Sequence, residues 1–89
     1  MSYYVYILVS ELDQSYYIGQ TDKLETRLHR HNRGYNKSTK HKRPWGIKWY
    51  FECETRSEAV GMERKLKNLK SRKKIEEFVV KMGFAGTEP

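Results

Sequence analysis

Glu63 is the residue hardest to explain as packing. It lies four residues after Ala59 and three before Leu66, within the apolar stripe of a helix. A carboxylate facing inward must be ion-paired, protonated or bound to a metal. A salt bridge to Arg27 or to a neighbouring Lys, or a place at the stripe's edge, is the commoner explanation and needs no metal. Tyr6 and Tyr17 fall in two adjacent strands and can point to one face, although tyrosines also simply pack strands. Arg27 and His31 are four apart and share one side of a helix with Leu24 and Leu28. On a purely structural reading Arg27 snorkels, His31 is partly buried and Gly19 makes a tight turn. These residue types otherwise bind cations, bind anions and carry protons.

Other chemistries fit poorly. His29, His31, His41 and Cys53 are the zinc candidates, but His29 and His31 point to different sides of one helix, and no Cys-x-x-Cys or paired-His spacing occurs. Cys53 lies on the apolar face of a strand and reads as buried and inert. No glycine-rich phosphate loop is present.

The elements that position these residues follow from pattern. Tyr3 to Val9 is aromatic and β-branched and apolar on both faces, so it reads as a strand covered on both sides. Ser10 to Ser15 is a polar loop, and Tyr16 to Gly19 a short second strand, antiparallel to the first. Thr21 is placed to cap a helix starting near Asp22 that Gly34 ends. Residues 35 to 45 form a polar, basic loop closed by Pro44. Ile47, Trp49, Phe51 and Cys53 alternate with polar residues and Tyr50, a strand with one apolar face. Thr55-Arg56-Ser57-Glu58 is a capping box opening a second helix with Ala59, Met62, Leu66 and Leu69 inward. Ser71 caps a third, with Ile75, Phe78, Val79 and Met82 inward and Gly83 as its stop. The order β-β-α-β-α-α predicts an α+β fold, a small three-stranded antiparallel sheet flanked by helices. It forms a single domain over 1–83, with 84–89 as a C-terminal tail.

A chain of 89 residues allows one domain. With 37% hydrophobic and 13% aromatic residues it is too rich for disorder, and too interrupted by charge for a membrane span. No segment reads as a secretory signal, and one Cys excludes an internal disulfide framework, so a small cytoplasmic domain is expected. The formal charge of +7 points to a polyanion. Its distribution says more: eight Lys/Arg and one acid lie from Lys23 to Arg43, and seven Lys/Arg and no acid from Arg64 to Lys74. Such clusters look like a footprint for phosphates.

Taken together the residues resemble the GIY-YIG nuclease family. Its first motif appears as Tyr4-Val5-Tyr6, keeping the tyrosine, and its second is complete as Tyr17-Ile18-Gly19. Arg27 and His31 follow on the first helix, and Glu63 stands on the second. The likeness runs from about Tyr3 to about Val80 and is similar to small stand-alone bacterial members, including the segments Ser38-Thr39-Lys40 and Arg43-Pro44-Trp45. Two positions depart from the pattern. Gln20 stands where some members place a Lys, and Lys74-Ile75-Glu76 lacks the late-helix Asn of several nucleases, with Asn68 too early to match it.

The resemblance implies metal-dependent endonuclease activity on DNA, with branched, damaged or single-stranded forms as substrate classes. Glu63 would ligate Mg²⁺ or Mn²⁺, an ion that keeps several waters and takes only one or two carboxylates. Arg27 would hold the attacked phosphate. Tyr6 is assigned as base and Tyr17 as the residue orienting phosphate or water, with His31 the rival base. Lys37, Lys40, Lys42 and Arg43 in the long loop, with Arg64, Lys67, Lys70, Arg72, Lys73 and Lys74 on the last helices, would bind nucleic acid with little sequence preference. Trp45 packs under the loop or stacks on a base. No recognition module is visible, so a protein partner supplying specificity is one expectation. The alternative to an enzyme is a catalytically weak nucleic-acid-binding module or accessory subunit.

Overall fold

The computed structural model describes residues 2–82. Gly83 and the tail 84–89 lie outside the described residues. A strand apolar on both faces has to be central, and β1 (Tyr3–Ser10) is: the sheet order is β2-β1-β3, with both neighbours antiparallel. Val5 and Ile7 face one side, Tyr6 and Leu8 the other, and all four are buried. β2 spans Tyr16–Thr21 and β3 Trp45–Cys53. Helix α1 spans Leu24–Arg33, α2 Arg56–Leu69 and α3 Arg72–Met82.

The sheet divides the core into two layers. On one side Val5, Ile7 and Trp49 pack against Leu66 of α2 and against Ile75 and Val79 of α3. On the other, Tyr6, Leu8 and Trp45 pack with Leu24 and Leu28 of α1. The predicted capping box of α2 is present in both directions, with Thr55 accepting from the Glu58 N–H and Glu58 accepting from the Thr55 N–H at 3.1 Å. Gly34 ends α1 in the left-handed conformation, φ 82°. At the start of α3 the Lys74 N–H reaches Ser71 Oγ at 3.4 Å.

Three local expectations are corrected. Thr21 belongs to β2 and does not cap α1. Its Oγ1 accepts from the Lys23 N–H at 3.1 Å, a short turn, and α1 starts after Lys23 with no side-chain cap. Gly19 is not a turn residue but sits inside β2 opposite Tyr6. And β3 has two apolar faces, not one. Ile7 pairs with Trp49 but Leu8 pairs with Ile47, so Lys48 is an extra, exposed residue at a β-bulge. The bulge inverts the alternation: Trp45, Ile47 and Tyr50 join the α1 layer, and Trp49 and Phe51 the α2/α3 layer.

Candidate active site

Gly19 has a steric role. A Cβ there would lie 2.5 Å from the Tyr6 hydroxyl oxygen and 2.7 Å from the ring carbon bearing it. The missing side chain is therefore the channel through which the Tyr6 hydroxyl passes over the second strand. Tyr6 is 1% exposed, and its hydroxyl lies 3.3 Å from Nε2 of His31, which is fully buried. His31 reaches it from the last turn of α1. Its Nδ1 lies 2.8 Å from the hydroxyl of Thr39, which is also buried.

Thr39 lies in turn 3.4 Å from the Asn36 carbonyl. A carbonyl can only accept, so when Thr39 donates to it, its oxygen is left to accept from Nδ1–H. That tautomer turns the Nε2 lone pair toward Tyr6. The Trp45 indole N–H donates to the Thr39 carbonyl at 2.9 Å, and Asn32 clamps Trp45 through both its backbone N–H (2.6 Å) and its carbonyl (3.0 Å). Trp45, 4% exposed, thus packs under the loop. Tyr17 completes the aromatic wall, its ring 4.9 Å from that of His31 and 6.5 Å from that of Tyr6.

Burial pushes the Tyr6 phenol well above its ordinary value, and the nearby Tyr17 adds to the rise. Arg27 opposes it by charge and hydrogen bonding, while Glu63 raises it further. Lowering by Arg27 is therefore outweighed, and Tyr6 is protonated at neutral pH. Burial lowers the pKa of His31, and the Arg27 charge lowers it further, so the imidazole is neutral there. A protonated phenol faces a neutral imidazole, the protonation states between which a proton can move.

Four of the five residues singled out in the sequence come together from three elements: Tyr6 from β1, Tyr17 from β2, and Arg27 and His31 from α1. Glu63 stands on α2, which packs on the other face of the sheet, and only its charge bears on Tyr6. Arg27 is more exposed than the apolar face of α1 suggests. With Arg30, His31, Tyr35, Asn36 and Lys37 it lines an open cleft of about 380 Å³. Glu63 is only partly buried, its side chain 21% exposed, and it pairs with Lys67 at 3.0 Å. Among the described residues no three His, Cys, Asp or Glu come together as a metal cluster, at Glu63 or elsewhere. Glu63 suits a hard cation that keeps its waters, and the Lys67 ammonium already holds a positive charge against it.

The basic residues divide. Lys37 lines the cleft. Lys42 pairs with Asp13 at 3.2 Å, and the Arg43 side chain donates to the Lys40 carbonyl at 2.8 Å. Arg72 lies 4.0 Å over the Tyr16 ring, pairs with Glu76 at 3.5 Å and donates to the Gln14 carbonyl. Arg64 on α2, Lys70 at its C-cap, and Lys73 and Lys74 on α3 are exposed, but both helices pack on the other face of the sheet from α1. Gln20 accepts from Arg56 at 3.2 Å. Sequence reasoning missed Asn32 and Arg30, and it noted Thr39 only within the family-like segment Ser38-Thr39-Lys40, without its contact to His31. A buried threonine inside a basic loop gives no periodic signal, and only the tertiary fold sets it on His31.

The GIY-YIG catalytic domain family model matches residues 2–76. A UPF0213 protein of Bacillus velezensis is 37% identical over 79 residues, which span 88% of this chain and 78% of that one. A UPF0213 protein of Staphylococcus aureus is 36% identical over 75 residues, 83% of this chain and 90% of that one. The solution NMR structure of the UPF0213 protein BH0048 from Bacillus halodurans superposes with a TM-score of 0.59 at 31% identity, covering 96% of this chain and 88% of that one. It has the same three-stranded antiparallel sheet and element order.

Proposed function

This chain belongs to the GIY-YIG family, and from that and the geometry of its site we propose that it is a metal-dependent endonuclease hydrolysing phosphodiester bonds in DNA. The observation that carries the proposal is the Tyr6–His31 contact, 3.3 Å long, buried, and lying within the electrostatic reach of both Arg27 and Glu63.

Each residue has a task there. Arg27, on the rim of the cleft, binds the attacked phosphate and offsets its charge. Tyr6 takes a proton from the attacking water as its own passes to Nε2 of His31, so no standing phenolate is needed. Thr39 holds the His31 tautomer that can accept that proton. The water oxygen bonds to phosphorus, the leaving oxygen departs with the electron pair of its bond to phosphorus, and solvent protonates it. Tyr17 walls the other side of His31 and orients water or phosphate. Glu63 would hold Mg²⁺ or Mn²⁺ in exchange for its pairing with Lys67. When bound, the ion supplies positive charge to the dianion that develops.

The test is nicking of supercoiled plasmid in Mg²⁺ or Mn²⁺ by the wild type and by Glu63→Gln. Cleavage by the wild type alone is expected. Equal cleavage by both removes the metal from Glu63. DNA binding without scission by either favours a second reading, a binding module in which Glu63 serves only its observed pairing with Lys67.

A further inference from the structure

The cleft beside the Tyr6–His31 contact carries features that phosphodiester hydrolysis alone does not use. Its lining holds three cations, Arg27, Arg30 and Lys37, and no carboxylate. Arg27 bears on the Tyr6 hydroxyl. Arg30 and Lys37 reach no such contact, and neither enters an ion pair among the described residues. At the same cleft stands Tyr35, 66% exposed.

An exposed tyrosine alone would be unremarked. The backbone of this one is anchored. Gly34, in the left-handed conformation, sends its N–H to the His31 carbonyl, and the Tyr35 N–H returns to the Arg30 carbonyl, both at 3.2 Å. The backbone under the ring is therefore tied to the turn that carries His31. The Arg30 guanidinium lies 6.0 Å from the ring centroid, at the outer limit of a cation–π contact, which leaves most of the ring's faces open. An open aromatic face on an anchored backbone, beside unneutralised cations, suits a planar π-system attached to an anion.

We propose that this cleft is a subsite for an unpaired nucleotide next to the scissile phosphate, with the base stacked on Tyr35 and the flanking phosphate held by Arg30 and Lys37. The inference rests on the nuclease reading and deepens it by naming the substrate class, nucleic acid with an unstacked base at the cut. A base inside a duplex is already stacked on both faces and cannot use Tyr35 without being extruded. A single strand or a strand end offers its base freely, and every base has a π-face, so the preference is for strandedness and not for sequence.

The test uses fluorescein-labelled oligonucleotides of one sequence, single-stranded and as a blunt duplex, titrated by anisotropy at one fixed ionic strength without divalent metal. Tyr35→Ala is expected to weaken single-strand binding by roughly 5- to 150-fold, the range for loss of one base–aromatic stack, and to leave the duplex within about twofold. Tyr35→Phe retains wild-type binding of both. A single strand carrying 2-aminopurine at the stacked position is quenched by the wild type and not by Tyr35→Ala. Arg30→Ala weakens both ligands and lowers the slope of log affinity against log salt by about one. Equal losses on both ligands, or none on either, overturn the subsite while the nuclease reading stands on the plasmid assay. A wild type that binds neither ligand overturns both.

Discussion

Replacing Gly19 by Ala would place a methyl group 2.5 Å from the Tyr6 hydroxyl oxygen, well inside van der Waals contact. The Tyr6 ring cannot yield outward, because it is 1% exposed and packed in the α1 layer with Leu8 and Trp45. Overpacking of this kind costs about 1–3 kcal/mol. Losing the 3.3 Å contact to His31 adds about 0.5–1.5 kcal/mol. Replacing a strand glycine returns about 0.5–1 kcal/mol of backbone entropy, and each remaining kcal/mol moves Tm by about 4–8 °C in a domain of this size, so Gly19→Ala should lower Tm by at least about 2 °C. Cleavage should fall with it, because the proposed proton path runs through the displaced hydroxyl. Gly61 is the control. It lies exposed inside α2, and a methyl group added there would meet nothing within 4 Å. There Gly→Ala should stabilise by about 0.5–1 kcal/mol through helix propensity alone. Thermal melts by circular dichroism, beside the plasmid assay, decide it. A Gly19→Ala protein that melts and cleaves like wild type would refute the steric account of the motif glycine.

Thr39→Val keeps the shape of the side chain but leaves His31 Nδ1 buried without a partner. The expected cost is about 1–3 kcal/mol in urea unfolding, with reduced cleavage restored by Thr39→Ser. Lys67→Ala frees the Glu63 carboxylate from a pair of the partly exposed kind that contributes up to about 1 kcal/mol. Mn²⁺ affinity, measured by calorimetry without DNA, should therefore tighten by up to about fivefold, and unchanged affinity would separate Lys67 from the metal. Because burial lowers the pKa of His31, the unfolded chain binds that proton more readily than the folded one. The resulting stability is full above the unfolded value near pH 6.5 and is lost as pH falls from there through the lower folded value. The fall in Tm on acidification should be smaller in His31→Gln, and an identical fall in both proteins would place the proton elsewhere.

Legibility in the sequence followed the range of the interaction. Signals within one turn or one strand were readable. The Thr55–Glu58 capping box, the Gly34 stop and the doubly apolar β1 all depend on residues a few positions apart, and the structure reproduces each. The errors lie where a distant partner decides. Nothing near Lys48 marks a bulge. It exists because β3 has to present Trp45 and Ile47 to the α1 layer and Trp49 and Phe51 to the other, and one extra residue reverses the alternation. Thr21 looks like a helix cap by type, yet β2 continues through it and takes its backbone into the sheet.

The candidate site obeys the same logic. Glu63, Arg27 and His31 drew notice because charged and polar groups interrupt apolar stripes, a local anomaly that needs no knowledge of the fold. Gly19 gave the right residue for the wrong reason. A glycine at a strand end reads as a turn until the facing strand is known, and only the Tyr6↔Gly19 pairing turns it into a passage for a hydroxyl. The two halves of the motif are then one device: the tyrosine of β1 reaches His31 because the glycine of β2 has no side chain. Neither residue achieves this without the other. A substitution at Gly19 and one at Tyr6 should therefore be strongly non-additive, as expected of residues acting through a single contact.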